Sequence, residues 1–417
     1  MKTMHELQNE NAQDSHNSVE SSNLELRARK GGALKKSLVA LALVAGSHTG
    51  MSQALAADPF EDTDISFSGY IKWDSMFSNY SDGSIASGSI GRDFYVPSLT
   101  PVGGVDESTQ FDSHIRQSRF RFTADTDLGG GEKITGVLEF DMQVVPDGNE
   151  RISNSHQPRI RHAFIKYKNL LLGQTWSTFQ DVKALPEAVD FIGVTDGTIF
   201  ARQAMIRYTH GPFEIALENP ETTVTPYGGG GRIVTDDNSV PDLIARYTFN
   251  GDWGHVAVAG MLRELAYDNG TVDSTETGYG VSLTGKFNFG RDDLRVMFNA
   301  GSGLGRYLAL NASNGAVLDA NNELEAIDSI GYAVAYRHWW NDDMRSTFMF
   351  SQMDVDNEVE LTGLNVTEST YSARVNLMYS LNKKLEVGAE YGYAKREVES
   401  GLEGDMNRFQ FMAKYSF

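Results

Sequence analysis

An all-β chain, closed into a sixteen-stranded antiparallel transmembrane β-barrel with an infolded constriction loop, is the fold class that three features of this sequence predict. The first is a two-residue period. In the final stretch "RFQFMAKYSF", Phe409, Phe411, Ala413, Tyr415 and Phe417 alternate with Gln410, Met412, Lys414 and Ser416, which reads as a strand with one greasy face. The second is a strict alternation of short and long connections between such strands, the pattern of a barrel with tight turns at one rim and loops at the other. The third is an aromatic residue at nearly every short turn, where ring systems with polar edges sit at a lipid–water boundary. A two-sheet sandwich would bury its apolar faces against each other and predicts neither of the last two features. Lipid is therefore the expected cover for the greasy faces.

Taken in order, the strands repeat one device. "ISFSGYIKW" places Ile65, Phe67, Ile71 and Trp73 on one face, "YGVSLTGKFNF" does so with Tyr279, Val281, Leu283, Phe287 and Phe289, and "YSARVNLMYSL" and "LEVGAEYGY" continue it. Seven connections are short and built from turn formers: "DLGGG", "KN", "THGP", "NGDW", "GRDD", "NDD" and "NKK". Between them lie eight longer segments, at 78–111, 145–158, 177–201, 220–241, 266–276, 302–324, 354–366 and 397–405. Fifteen connections separate sixteen strands, an even number with both ends on the short-turn side. Tyr167, Tyr208, Phe249, Trp253, Phe289, Trp339, Trp340, Tyr379 and Phe417 form the expected ring of aromatics.

Composition excludes several classes. The body has no apolar run long enough for a helical span. The chain has 0 Cys, so disulfides, thiolate metal sites and cysteine nucleophiles are ruled out. A pI of 4.8 argues against nucleic acid as a partner. After Lys35 and Lys36, a short apolar core and "ALAADPF" make a signal peptide, with Ala54 and Ala56 at an A-x-A cleavage site. The expected organisation is thus a signal peptide at 1–56, with an unusually long polar front at 1–34 that reads as an overextended start, and an exported barrel at 57–417.

The charge is unevenly placed. Residues 57–417 hold 30 Lys+Arg against 51 Asp+Glu, and the eight long segments alone hold 5 against 26, so the whole excess of 21 negative charges lies on the loops. Within the strands, alternation turns Arg119, Arg121, Arg161, Arg207 and Arg246 inward, with Arg263, Lys286, Arg295, Arg337, Arg345, Arg374 and Arg408 further on. Two readings stand for these groups. They line a polar lumen as an anion-attracting wall, or they pair in ladders with inward acids such as Glu139, Asp141, Glu214 and Glu390.

The segment 177–201, "STFQDVKALPEAVDFIGVTDGTIFA", is too apolar for an outer loop. It is expected to fold into the barrel and narrow it, with Asp181, Glu187, Asp190 and Asp196 facing the arginines across a constriction. Other motifs fail. "GVSLTGKF" after Gly280 lacks the hydroxyl residue of a phosphate loop and sits in an alternating strand. The histidines show no metal-ligand spacing, no catalytic constellation emerges, and neither cofactor nor metal is expected. The acidic clusters at 236–238 and 354–360 read as solvated loops.

Several stretches resemble known porins. "RHAFIKYKNLLLGQTWSTF", the infolding segment and "RQAMIRYTHGPFEIAL" resemble the strands that flank the constriction loop of bacterial general porins. "FSGYIKWDSMFS", "DFYVPSLTPVGG", "SHIRQSRFRFTADTD" and "LIARYTFNGDWG" are similar to the DcaP-like porins of Gram-negative bacteria. The resemblance spans 62–417 and implies a trimeric outer-membrane channel for small organic anions, dicarboxylates and aromatic acids among them. It places the arginine-lined constriction at Arg119, Arg121, Arg161 and Arg207. It further implies that barrel-assembly machinery reads the aromatic Phe417, and that lipopolysaccharide surrounds the wall. An N-terminal coiled coil present in some members has no counterpart in the few residues between Ala57 and the first strand. The expected function is passive diffusion of small solutes. The alternatives are an adhesin or scaffold acting through acidic loops and, less favoured, a barrel enzyme.

Overall fold

The computed structural model describes residues 62–143 and 153–417. The expected signal peptide and its cleavage site fall outside the described residues. The barrel sheet contains β1 (Thr63–Tyr80), β2 (Ser108–His114), β3 (Arg119–Gly129), β4 (Glu132–Asp141), β5 (Arg159–Tyr167), β6 (Leu170–Trp176), β7 (Arg202–His210) and β8 (Phe213–Glu218). Two short strands outside the barrel follow, β9 (Thr222–Thr225) and β10 (Ile233–Thr235). The wall resumes with β11 (Asp242–Gly251), β12 (Gly254–Asp268), β13 (Asp273–Phe289) and β14 (Asp292–Ser302). After β15 (Ala316–Leu318) and β16 (Leu324–Ala326), it is completed by β17 (Asp328–Trp339), β18 (Met344–Asp356), β19 (Thr367–Ser380), β20 (Leu385–Val398) and β21 (Glu403–Ser416).

The lower half of β1 pairs with β3 and the upper half with β2, so β2 and β3 make one interrupted stave and the seventeen wall segments form sixteen staves. The sheet closes where Tyr70 to Tyr80 of β1 lie antiparallel to Ser416 to Met406 of β21. All neighbours in the wall are antiparallel, and closure removes every edge from the bilayer. Outward positions carry exposed Phe67, Ile71, Trp73, Val281, Leu283, Leu377 and Phe409, while inward positions on the same strands carry Asp74, Ser282, Thr284 and Arg408, all buried. This is the expected alternation. The seven short turns fall where the turn residues put them. Trp339 departs from the aromatic ring: Arg291, Arg337 and Arg345 crowd its face at 4.3, 5.6 and 5.1 Å, so it serves as a stacking platform for guanidiniums.

Phe417 closes the seam. Its N–H donates to Gly69 O at 3.1 Å, and its ring lies 5.3 Å from Phe67 and 6.2 Å from Phe120. Deleting Phe417 should therefore lower the amount of folded, heat-modifiable barrel, read by electrophoresis of boiled and unboiled membranes. Unchanged yield would show the aromatic seam to be dispensable.

Two of the eight long segments are shorter loops than expected. In 266–276, β12 and β13 continue pairing to Asp268↔Asp273, and only 269–272 turn. Asn269 Oδ1 accepts from Thr271 N and Val272 N, and Gly270 takes a φ of 81°, which closes a tight hairpin. In 397–405 the strands likewise run on, with a turn at 399–402. Backbone pairing continues because tight-turn residues sit at the tips, and alternation alone cannot tell a strand above the membrane from one within it.

The infolded loop at 177–201 is present, and a second loop joins it. Residues 303–327 send Leu304, Tyr307, Leu308, Ala309 and Ala312 inward against Ile244, Ala259, Met261 and Met353 of the wall, and against Phe179 and Ile199 of the first loop. Ala309, Leu310 and Asn311 take left-handed φ values of 51°, 55° and 61°, a conformation that costs about 1–2 kcal/mol per residue and must be imposed by contacts. Ala309 N bonds Thr198 O, and Asn311 Nδ2 bonds Ser313 O, which supply them. β10, β9, β15 and β16 form a small four-stranded sheet that packs through Val224, Ala316 and Leu324 against Leu265, near the loop end of β12.

Candidate functional site: an arginine wall facing an infolded loop

The first infolded loop leaves β6 and follows the inner wall from β11 round to β1. Arg246 Nη1 donates to Gln180 O at 2.6 Å, His255 Nε2 lies 2.7 Å from Asp181, and Thr284 Oγ1 donates to Asp181 at 2.9 Å. Arg295 reaches Leu185 O, and Arg345 and Arg337 meet Glu187. Val189 N donates to Glu390 at 2.8 Å, and Lys72 Nζ donates to Val189 O at 2.6 Å. On the return, Gly197 N donates to Ser351 Oγ at 2.6 Å. A Cβ at Gly197 would stand 2.2 Å from Tyr332 O, so only glycine allows the loop to lie this close to β17.

These contacts define the roles of the four expected acidic residues. Asp181 and Glu187 anchor to the wall behind the loop. Asp190 accepts from the N–H groups of Tyr95, Ile192 and Gly193 and lies 3.9 Å from Arg408. Asp196 accepts from Tyr95 Oη at 2.7 Å and from Ser372 Oγ. The expected field between these carboxylates and the arginines across the lumen is therefore replaced by anchoring, because buried carboxylates bind the nearest donors behind them. Burial pushes the Asp196 carboxyl up, and the hydroxyls of Ser372 and Tyr95 oppose the shift. Its folded value exceeds the unfolded one, so the group's net contribution to stability is greatest at low pH and is lost as pH rises through the raised value. In the second loop, burial together with Asp242 pushes the Tyr307 hydroxyl well above its ordinary range, and Tyr307 Oη donates to Asp242 at 2.7 Å.

With β11 to β21 lined by the two loops, the wall left facing the lumen is β3 to β7. It is basic. A β-bulge between Glu139 and Phe140 of β4 leaves an extra residue on β5, so Arg159, Arg161 and His162 all point inward. Arg161 donates to Glu139 at 3.0 Å and to Asp141 at 2.9 Å, and Arg159 donates to Asp141 at 3.0 Å through Nε and Nη2. Arg119 and Arg121 approach Glu139 at 3.5 and 3.7 Å. Arg202 stacks on Trp176 at 4.4 Å and on Phe200 at 5.7 Å, with no carboxylate within 4 Å among the described residues. Four guanidiniums thus share two carboxylates, and Arg202 stands beside them. The exposures decide what a solute meets: the side chains of Arg121, Arg119 and Arg159 are 41%, 23% and 22% exposed, against 7% for Glu139 and 0% for Asp141.

Of the expected basic residues, the structure gathers Arg119, Arg121 and Arg161 on this wall, with Arg161 buried behind the others. Arg207 lies lower, bonded to Thr178 Oγ1 at 2.8 Å and to Trp176 O, and Arg246 pairs with Glu214. Arg374 lies on the far wall, bonded to Glu390 at 3.1 Å and stacked over Tyr95 at 4.9 Å, 1% exposed. Arg263, Lys286, Arg295, Arg337 and Arg345 also find inward acids: Asp242, Asp293, Glu187 and Glu386. The ladder reading describes these. Arg159 and Arg202 belong to the exposed wall and were not among the expected residues. Arg159 could have been read from its spacing of two from Arg161. Arg202 could not, since it has the opposite phase to Arg207 and turns inward only where the chain arrives from the loop.

A model of the DcaP outer membrane protein family matches residues 34–417. The chain belongs to the DcaP outer membrane protein family. Its structure is similar to that of the outer membrane channel DcaP of Acinetobacter baumannii, with a TM-score of 0.73 and 23% identity over 85% of this chain and 97% of that one. It is also similar in fold to an anion-selective porin from Comamonas acidovorans, with a TM-score of 0.51 and 11% identity over 85% and 100% of the two chains. The Vibrio cholerae outer membrane protein OmpT lacking loop L8 gives a TM-score of 0.51 and 15% identity over 86% and 100%. No curated protein matches the sequence. The DcaP-family chain is accordingly an outer-membrane β-barrel with the fold of the porins.

The loop's lumen side offers a direct check of its place. Val182 and Lys183 are exposed while Ala184 is buried against Met297 and Ala333. In this cysteine-free chain, a cysteine at Lys183 should react with small thiol reagents that enter the pore, resist bulky ones added to whole cells, and lower conductance once modified. Rapid labelling by bulky reagents would put the loop outside.

Proposed function

We propose that this DcaP-family barrel is a passive diffusion channel that favours small organic anions, with dicarboxylates and aromatic acids as the substrate class. The observation that carries this reading is the inverted exposure on β3 to β7, where guanidiniums reach solvent and their carboxylate partners are buried beneath them. Guanidinium forks offer paired N–H donors to a carboxylate. Trp176, Phe191 and Phe200 beside them give an apolar face for the rest of the solute, with Arg161 over Trp176 and over Phe191 at 5.5 Å in both cases. A narrow low-dielectric passage strengthens their field, so a few charges at close range outweigh a distant acidic coat. The scaffold reading needs only the loops and leaves the uncovered arginines without a role. A homotrimer, contact with lipopolysaccharide, and recognition of Phe417 by assembly machinery belong to the same proposal.

Liposome swelling tests it. Vesicles containing the protein should swell faster in a dicarboxylate such as succinate than in a neutral solute or a diamine of similar size. Equal rates for all three would contradict an anion preference.

A further inference from the structure

We propose that Lys286 and Arg337 form a second carboxylate station, at the turn-side end of the lumen, which holds anions that have passed the arginine wall until they leave the barrel. This rests on the channel reading above and adds a site that the constriction does not contain. The inward cations of β13 to β21 near the short turns find acids without being balanced by them. Lys286, Arg295 and Arg337 meet Asp293, Arg337 and Arg345 meet Glu187, and Arg345 and Lys414 meet Glu386. Each ion pair shares a member with the next, so among the described residues they form one connected group of five cations and three acids. Arg295 donates to Asp293 at 2.6 Å, Arg345 Nε donates to Glu187 at 2.7 Å, and Lys414 lies 2.8 Å from Glu386. Lys286 and Arg337 are the two cations left in excess.

Register brings that excess to one place. Asp293 lies opposite Arg337, and Arg295 opposite Lys286, each within a few residues of a short turn. Lys286 Nζ and Arg337 Nη2 stand 3.7 and 2.5 Å from the same oxygen, Asp293 Oδ2. A single oxygen already lies between the two cations, so one solute carboxylate is wide enough to touch both. At 3.7 Å the Lys286 ammonium is beyond hydrogen-bonding distance of Asp293, which leaves its donors for a solute. The Lys286 and Arg337 side chains are 27% and 20% exposed, against 2% for Asp293, so the charge that reaches the lumen is of one sign. Arg295 is spent elsewhere, with Nε on Asp293 and Nη1 on Leu185 O of the infolded loop. Like charges placed this close repel unless an anion joins them. A guanidinium beside an ammonium offers that anion a directed fork and a point charge together. The arrangement repeats, on β13 to β17, the inverted exposure of the arginine wall.

The test is the unitary succinate current with succinate on one side at a time. In Lys286→Gln, the ratio of current entering from the turn side to current entering from the loop side should fall about tenfold, the low end of what electrostatic steering supplies. Lys286→Arg, which keeps the charge, should restore the ratio, and permeation of a neutral sugar should match the unmodified channel in both variants. An unchanged ratio in Lys286→Gln overturns the station and leaves the arginine wall standing. A fall that Lys286→Arg does not restore, or one accompanied by altered sugar permeation, overturns it in favour of packing at the rim as the role of Lys286. No succinate current in either direction through the unmodified channel overturns the channel reading and the station together.

Discussion

Replacing Arg119, Arg121, Arg159 and Arg202 together with glutamine should reverse the channel's selectivity from anions to cations. The reason is local arithmetic. The Glu139–Asp141 cluster then keeps Arg161 as its guanidinium, and the loop coat adds to the negative side. At about 7 Å and an effective dielectric of about 20, one unit charge acts on another with roughly 2 kcal/mol, so losing several at the constriction outweighs any rearrangement of the loops. The reversal potential in a KCl gradient reads the change. A reversal potential equal to that of the unmodified channel would mean that the wall is an internal ladder only, the second of the two readings the sequence leaves open. Arg121→Gln alone should produce the largest single shift, because Arg121 is the most exposed of the set.

Removing the acids instead should damage the barrel itself. Arg161 is 2% exposed, and its ionic partners are Glu139 and Asp141. In the Glu139→Gln, Asp141→Asn variant its charge is buried with amide oxygens alone, which costs about 3–5 kcal/mol when a buried pair is broken from one side. The folded, heat-modifiable form should fall sharply, and the urea midpoint of what remains should drop. Adding Arg161→Met should restore much of the loss, since it removes the stranded charge while filling the same space. A double variant as stable as the parent, or one that Arg161→Met does not rescue, would show that this cluster carries no structural weight.

The strands and short turns were legible because lipid imposes the pattern: every outward residue must be apolar, every inward one faces something else, and tight turns demand Gly, Asn and Asp. The first infolded loop was legible from its apolar content. The second was not recognised, although "LGRYLAL" at 304–310 carries a similar signal diluted by polar neighbours. A further clue lay on the wall. Inward positions of β12 to β18 include Ala259, Met261, Met297, Ala333, Ala335, Met349 and Met353, small or pliable residues that suit a docked loop, whereas those of β3 to β5 include Glu139, Asp141 and Arg161. Reading which side of the lumen is apolar would have placed the plug and left the basic wall as the passage. Pairing could not be read in the same way. Asp293 serves Arg295 on its own strand and also Lys286 and Arg337 on the two flanking strands, which only register brings to it. Arg202 owes its place to the bend at the loop's end, which no periodicity encodes.

On the proposed function, a basic wall inside the lumen, and not the net charge of the chain, sets what passes. The reversal potential of the unmodified channel in a planar bilayer, measured over a series of salt concentrations, tests it most directly. At physiological salt the Debye length is about 8 Å, and it grows to about 30 Å at 0.01 M, so the acidic loops are screened from the constriction in the first case and reach it in the second. The account predicts anion preference at physiological salt that shrinks as salt is lowered. Cation preference at every salt concentration would contradict it.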